Sequence, residues 1–318
     1  MRYKKFGNTD MQVSEMALGT WGIGGAGWDA YTDESRLDAI RAAVECGVNL
    51  IDTAPAYNAG AAERYVGRVL KDMGVREKMY IATKCGTEYI DGAYVRDCSR
   101  ATIIRQCEES LRNLQTDYID LYLVHWPDAK VSMEETMGAL NTLKEQGKIR
   151  HIGVSNFNRE QILEAETYSS IETCQLQYSM VSRTSEEMLQ WAAQKGMGIM
   201  TYGSLGGGIL SGAIRKLETY AASDSRNRFY KHFQEPTFSQ IMKLLEVMDK
   251  ISANRGQVPL SQIAMNWAAQ KPFVSTCIVG AQSRRKIEEN AAGFSWNLTE
   301  KECEQLDEAI NKYLGDVK

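Results

Sequence analysis

Eight short β-rich runs alternate with longer amphipathic runs along this chain, and that alternation leaves few folds open. The candidate strands are Glu15–Thr20, Asn49–Thr53, Met79–Lys84, Ile119–Val124, His151–Val154, Thr173–Gln177, Gly198–Tyr202 and Thr276–Val279. A typical one, Tyr118-Ile119-Asp120-Leu121-Tyr122-Leu123-Val124, is bounded and rich in β-formers. Gly47, Gly74, Gly147 and Gly196 stand between a helical run and the next strand, where a left-handed residue ends a helix at least cost. Helix, glycine and strand in repetition build βα units and therefore a parallel sheet. Eight units favour a closed (β/α)8 TIM barrel of class α/β over an open sheet. The 318 residues exceed the roughly 250 that such a barrel needs. In that architecture the functional residues sit at the C-terminal ends of the strands.

Three segments fall outside the repeat. Residues 1–14 predict a hairpin closing the barrel bottom, with Asn8-Thr9-Asp10 as its turn. Residues 203–236 form a long glycine-rich, charged loop after strand seven, and loops of that length are usually functional or disordered. Residues 297–314 predict a last amphipathic helix. Ser132-x-x-Glu135, Thr184-x-x-Glu187 and Thr299-x-x-Glu302 read as capping boxes. No linker divides the chain, so a single domain over 1–318 is expected. The net charge of −4 and the lack of a long basic run argue against nucleic acid or an anionic membrane as partner. The basic start Met1–Lys5 is not followed by an apolar segment, and no apolar run is long enough to span a bilayer. Seven cysteines without C-x-x-C spacing fit reduced thiols and a cytoplasmic location. Three histidines argue against a His-rich metal site. The expected assembly is a monomer or small homo-oligomer.

Four polar residues fall at the predicted strand ends. Asp52 closes Leu50-Ile51-Asp52, Tyr57 follows in the next loop, Lys84 closes Tyr80-Ile81-Ala82-Thr83-Lys84, and His125 follows Leu121-Tyr122-Leu123-Val124. Together they form an acid–base set. An ammonium beside a phenol stabilises the phenolate and lowers its pKa. A carboxylate keeps the ammonium charged and positioned, and an imidazole orients a carbonyl or relays a proton. Singly, Asp52 reads equally well as a cap, Tyr57 as a loop aromatic and His125 as a core histidine. Lysine at the end of a buried strand is costly unless paired. All four at one rim favour the catalytic reading.

At these residues the chain resembles the aldo-keto reductases, from about Tyr3 to about Asn290. The resemblance is carried by Leu18-Gly19-Thr20-Trp21, Asn49-Leu50-Ile51-Asp52-Thr53-Ala54-x-x-Tyr57, Thr83-Lys84, His125-Trp126-Pro127-Asp128, Gly147-Lys148-Ile149-Arg150-His151-Ile152-Gly153-Val154-Ser155-Asn156-Phe157 and Glu288-Glu289-Asn290. It looks closest to bacterial members with a short C-terminus. It implies an NAD(P)(H)-dependent oxidoreductase that interconverts a carbonyl and an alcohol. Tyr57 is then the general acid and base, Asp52 and Lys84 tune it, and His125 orients the substrate oxygen. Ser155, Asn156 and Gln177 match residues holding the nicotinamide carboxamide, and Tyr202 matches the aromatic stacked on the ring. Gly19, Thr20, Trp21 and Asp52 fall on the cofactor side of the same motifs. On the residues alone, Ser155-Asn156 also reads as a helix cap and Tyr202 as a packing residue.

Gly280-Ala281-Gln282-Ser283-Arg284-Arg285-Lys286-Ile287-Glu288-Glu289-Asn290 matches the adenosine site. Lys286 falls where relatives carry arginine for a 2′-phosphate, Arg284 and Arg285 add positive charge, and Glu289 and Asn290 match adenine contacts. The implied cofactor is NADP(H) in preference to NAD(H). The basic trio also reads as a solvated helix face. Two departures stand out. The family's Tyr-Ser-Pro-Leu is here Tyr202-Gly203-Ser204-Leu205, followed by Gly206-Gly207-Gly208, and Gln282 replaces a basic residue. Trp21, Trp28, Asp29, Tyr57, Tyr89, His125 and Trp126 are candidate substrate contacts. The short chain after the last helix suits small carbonyls and polyols, sugars included. Two other readings stay open: a Schiff-base barrel lyase using Lys84, and a cofactor-binding regulatory subunit of the same fold.

Overall fold

The computed structural model describes residues 1–24, 32–90, 93–217 and 230–315. An antiparallel hairpin, β1 (Tyr3–Lys5) and β2 (Gln12–Ser14), precedes the barrel. The barrel strands are β3 (Met16–Gly19), β4 (Leu50–Asp52), β5 (Tyr80–Cys85), β8 (Ile119–Val124), β9 (Ile149–Ser155), β10 (Thr173–Gln177), β11 (Gly198–Tyr202) and β12 (Thr276–Gly280). They pair in chain order, all parallel, and β12 closes back onto β3 through Cys277–Gly280 against Met16–Gly19. The eight strands are those expected from the sequence, with ends shifted by a residue or two. β9 starts earlier than expected because Ile149 pairs with Ile119.

Helices α1 (Asp33–Glu45), α2 (Ala61–Met73), α3 (Arg100–Leu114), α4 (Met133–Glu145), α5 (Arg159–Glu166) and α6 (Glu186–Gln194) follow the first six barrel strands. After β11 come α7 (Thr237–Asn254) and α8 (Leu260–Ala269); α9 (Arg284–Ala292) follows β12, and α10 (Glu300–Leu314) packs along α7. Gly47, Gly74, Gly147 and Gly196 have φ of 85°, 64°, 71° and 88°, the left-handed turns that reverse the chain between helix and strand. One expectation was missed: a second hairpin, β6 (Thr87–Ile90) and β7 (Ala93–Arg96), projects after β5. No helix among the described residues is long and apolar enough to cross a membrane.

Only one of the three expected capping boxes forms completely, that of Thr299 and Glu302. Ser132 accepts from Glu135 N, but the Glu135 carboxylate turns to Arg100 N and caps α3 instead. α6 starts from Ser185 without a side-chain cap, so the box expected at Thr184 is absent. Asn158 and Gln161 form a box that the Ser/Thr pattern passed over.

The core has two layers. Outward strand residues such as Ile51, Tyr122 and Val154 pack against the helices. Inward ones, including Ala17, Leu50, Ala82, Leu121, Leu123 and Met200, fill the barrel with Phe6, Met11 and Val13 from the N-terminal hairpin. That hairpin closes the floor as expected. All seven cysteines are free, and burial pushes the Cys98, Cys107 and Cys174 thiols up to about 12. They act as small apolar packing groups.

Candidate active site

Strand alternation decides which residues enter the barrel. In β4, Leu50 points in and Ile51 out, so Asp52 returns to the interior. The same phase stacks Lys84 above Ala82 and Tyr202 above Met200, and His125 continues the column of Leu121 and Leu123. Cys174 and Leu176 face the helices, which leaves Gln175 and Gln177 inside. The interior is therefore apolar near the hairpin and polar at the C-terminal ends.

Lys84 Nζ donates to Asp52 Oδ1 and Oδ2 at 2.8 and 2.9 Å and to Thr53 O at 2.9 Å, and lies 3.2 Å from the Tyr57 hydroxyl. Gln175 Nε2 donates to Asp52 Oδ2 at 2.8 Å, and Ser155 Oγ donates to Gln175 Oε1 at 3.3 Å. Tyr57 stands on the loop between β4 and α2. Asn58 Nδ2 pins that loop to Gly24 O at 2.6 Å. The Tyr57 and His125 rings meet edge to face, 5.9 Å apart. The four residues expected at one rim are thus in one cluster.

Charge in the cluster differs from expectation in one respect. The sequence suggested that Lys84 lowers the phenol's pKa. Here the ammonium is neutralised by Asp52, while burial and then the Asp52 carboxylate push Tyr57 well above its ordinary value. Burial also lowers Lys84, against the pull of Asp52. Burial, helped by the Lys84 and Arg96 cations, holds His125 well below its ordinary value, so its imidazole is neutral near pH 7. His125 Nδ1 is buried without a hydrogen-bond partner among the described residues.

Above the cluster opens a cavity of about 740 Å³. Gly19, Thr20, Trp21, Asp52, Tyr57, His125 and Trp126 line it, as do Ser155, Asn156, Gln177, Tyr202, Gly203, Ser204, Leu205, Gly207, Gly280 and Gln282. Lys84 lies beneath it, fully buried. Asn156, at a left-handed φ of 62°, donates from Nδ2 to His125 O at 3.0 Å and accepts the Tyr202 hydroxyl at 2.8 Å. It therefore fixes both the end of β8 and the Tyr202 ring.

Several candidates are not brought to the cavity. Trp28 and Asp29 lie outside the described residues. Tyr89 stands directly opposite Tyr94 in the hairpin, their rings 4.9 Å apart, and only Tyr94 reaches the lining. Arg284 is turned toward α1, with 2.8 Å to Asp38 and 2.6 Å to Glu45. Lys286 pairs with Glu289 at 3.0 Å, and Asn290 is buried on α9. They follow Gly280 and Gln282 in the chain but are absent from the cavity lining. Sequence reasoning missed Gln175, Thr87, Tyr94, Arg96 and Tyr230. Gln175 had a signal, being a polar residue in phase with Gln177. The hairpin residues had none without the β6–β7 pairing.

These features define a class, a (β/α)8 barrel with acid–base groups buried at the strand ends beside a wall of amide and hydroxyl donors. The Aldo/keto reductase family model matches residues 15–311, and the chain belongs to that family of oxidoreductases. It is 34% identical over 317 residues to the aldo-keto reductase YhdN of Bacillus subtilis (strain 168), covering 99% of this chain and 96% of that protein. It is 32% identical over 325 residues to the NADH-specific methylglyoxal reductase of Escherichia coli (strain K12), covering 97% and 98%. The solved glycerol dehydrogenase AKR11B4 from Gluconobacter oxydans superposes with a TM-score of 0.90 at 31% identity, covering 98% of this chain and 96% of that one.

Proposed function

We propose that the chain is an NAD(P)(H)-dependent oxidoreductase interconverting a small aldehyde, ketone or sugar and the corresponding alcohol, with Tyr57 as general acid and base. The observation that carries this reading is the Tyr57 hydroxyl held 3.2 Å from a buried, Asp52-paired Lys84 at the cavity floor. A methylglyoxal reductase and a glycerol dehydrogenase among the similar proteins support a small carbonyl or polyol substrate. The lyase reading loses ground because Lys84 Nζ is engaged by its acceptors and is absent from the cavity lining.

The residues present fit a nicotinamide dinucleotide. Ser155, Asn156 and Gln177 offer the mixed donors and acceptors that a carboxamide needs, and Tyr202 presents a ring for stacking. Ser283 leaves the first turn of α9 without a side-chain cap, an arrangement that accepts an anion. When bound, the reduced cofactor supplies hydride to the carbonyl carbon. Tyr57 donates its proton to the carbonyl oxygen as charge builds there. Lys84 Nζ, 3.2 Å away, donates a hydrogen bond to the phenolate left behind, and neutral His125 orients the oxygen. In the reverse direction Tyr57 takes the alcohol proton. Tyr57→Phe removes only the hydroxyl and is expected to lower kcat by about 10²–10⁴-fold while cofactor affinity holds. Near-normal turnover in the purified variant would end this assignment.

For the cofactor we take NADP(H) over NAD(H). Arg284 is held by both Asp38 and Glu45, whereas Lys286 and exposed Arg285 share the one acid Glu289, so these two are the side chains to meet a 2′-phosphate. Fluorescence quenching is expected to show tighter NADPH than NADH binding at low salt. Lys286→Ala should narrow that gap and Arg284→Ala leave it in place. Equal dissociation constants in the unmodified protein contradict the preference.

A further inference from the structure

The geometry points to Arg96 as a specificity residue: we propose that the cavity prefers carbonyl substrates carrying an anionic group, a carboxylate or a phosphate, away from the reacting carbon. The inference rests on the oxidoreductase reading and names its substrate class.

Arg96 lines the cavity from β7, opposite Thr87 in the hairpin register. Its guanidinium lies 4.9 Å from the centroid of the Trp126 ring. Stacking on an aromatic face holds a guanidinium in place while its edge donors stay free. Several arginines are paired with acids, Arg76 and Arg150 with Asp120, Arg105 with Glu88 and Arg284 with Asp38, but none of these lines the cavity. Arg96 has no carboxylate partner among the described residues. The acids nearest in the chain are engaged elsewhere. Asp97 accepts from Ser99 N at 2.9 Å and Thr102 Oγ1 at 2.5 Å. Asp128 accepts from Cys98 N at 3.2 Å and Lys130 N at 3.0 Å. Glu88 is held by Arg105.

Asp52 is the other charged side chain in the cavity lining among the described residues, and Lys84 neutralises it. The cavity is left with an uncompensated cation. Its place separates it from the cofactor. Round the barrel, β5 and β8 stand three or four places from β11 and β12. The hairpin and Trp126 follow β5 and β8, whereas Tyr202–Gly207 and Gly280–Gln282 follow β11 and β12. Arg96 therefore faces the substrate side. Its fork matches two oxygens of a carboxylate or phosphate, and Arg96 and Tyr57 line the same cavity of about 740 Å³.

The test compares matched substrates in the full-length protein: succinic semialdehyde against butanal, and glyceraldehyde 3-phosphate against glyceraldehyde. The readout is the ratio of kcat/KM, anionic over neutral. The expected ratio is about 10–100 in at least one pair, the usual worth of a hydrogen bond to a charged group, and it shrinks with added salt. Arg96→Gln should remove most of it, through KM, and Arg96→Lys should keep part. The pair with the larger ratio identifies carboxylate or phosphate. A wild-type ratio at or below one in both pairs overturns the proposal, as does a ratio that Arg96→Gln leaves unchanged. Turnover of butanal or glyceraldehyde keeps the oxidoreductase reading standing in that event. No turnover of any aldehyde with either cofactor overturns that reading, and this proposal with it.

Discussion

Lys84 shows how one side chain is both structural and chemical. It is fully buried, and its neighbours Asp52, Thr53 O and Tyr57 use up its donors. Removing it leaves the Asp52 carboxylate buried with Gln175 as its main remaining partner. Lys84→Met is therefore expected to cost about 3–5 kcal/mol, the penalty for breaking a buried pair, as read by urea unfolding. The double variant with Asp52→Asn should recover most of it, since neither charge remains. A single-variant cost below about 1 kcal/mol contradicts this account. Titration belongs to the same residues. Tyr57 is held well above its ordinary value and His125 well below. Neither changes charge near neutrality, so kcat/KM for carbonyl reduction should stay flat from about pH 6 to about pH 9. A limb near pH 6.5 would show His125 titrating and refute its neutral assignment. Asp52, Lys84 and His125 were legible because polar residues ending β-rich runs stand out. Gln175 was not, because one glutamine in a strand carries no mark of its partner.

Between elements, the barrel bottom carries a charge cluster with its own pH dependence. His151 on β9 contacts Glu172 Oε1 at 3.0 Å and Asp10 of the hairpin turn at 3.3 Å, while Lys144 of α4 reaches Glu172 at 2.9 Å. The Glu172 hydrogen bond raises His151 above its ordinary value. His151 and Lys144 hold Glu172 down at about 2, against burial. A raised histidine stabilises fully below its unfolded value of 6.5, and that contribution fades as pH rises through the folded value. A depressed glutamate stabilises above its unfolded 4.5 and loses this as pH falls toward about 2. The cluster is strongest between these limits. His151→Gln should cost about 1 kcal/mol at pH 6 and clearly less at pH 9. Equal costs at the two pH values, from urea titrations, contradict the linkage. The caps teach a related lesson. Thr299-x-x-Glu302 keeps its box although Arg255 also binds the Glu302 carboxylate, because Oε2 still reaches Thr299 N, whereas the Glu135 carboxylate goes to Arg100 N on a neighbouring helix. The sequence pattern names the donors and acceptors but not their rivals.

Across the whole molecule, the floor of the barrel is supplied by the N-terminal hairpin. Phe6 is fully buried in the inner core, and Gly198 on β11 faces its ring so closely that a Cβ there would stand 2.3 Å from Phe6 Cε1. Phe6→Ala is expected to cost about 3–5 kcal/mol by leaving a cavity, with the loss seen in urea unfolding. A loss under about 1 kcal/mol would mean that the hairpin does not seal the barrel. The sequence by itself determined the eight parallel strands, the hairpin, and the polar residues at the strand ends. Period-2 alternation, helix-ending glycines and costly buried polar groups are local signals, readable along one chain. Only the tertiary structure decided which side of the ring each loop occupies. That placement turned Arg284 onto Asp38, set Tyr94 rather than Tyr89 into the cavity, and left Arg96 on Trp126 without an acid partner among the described residues. Ion pairs and loop placement depend on residues far apart in the chain, and barrel closure alone sets which of them meet.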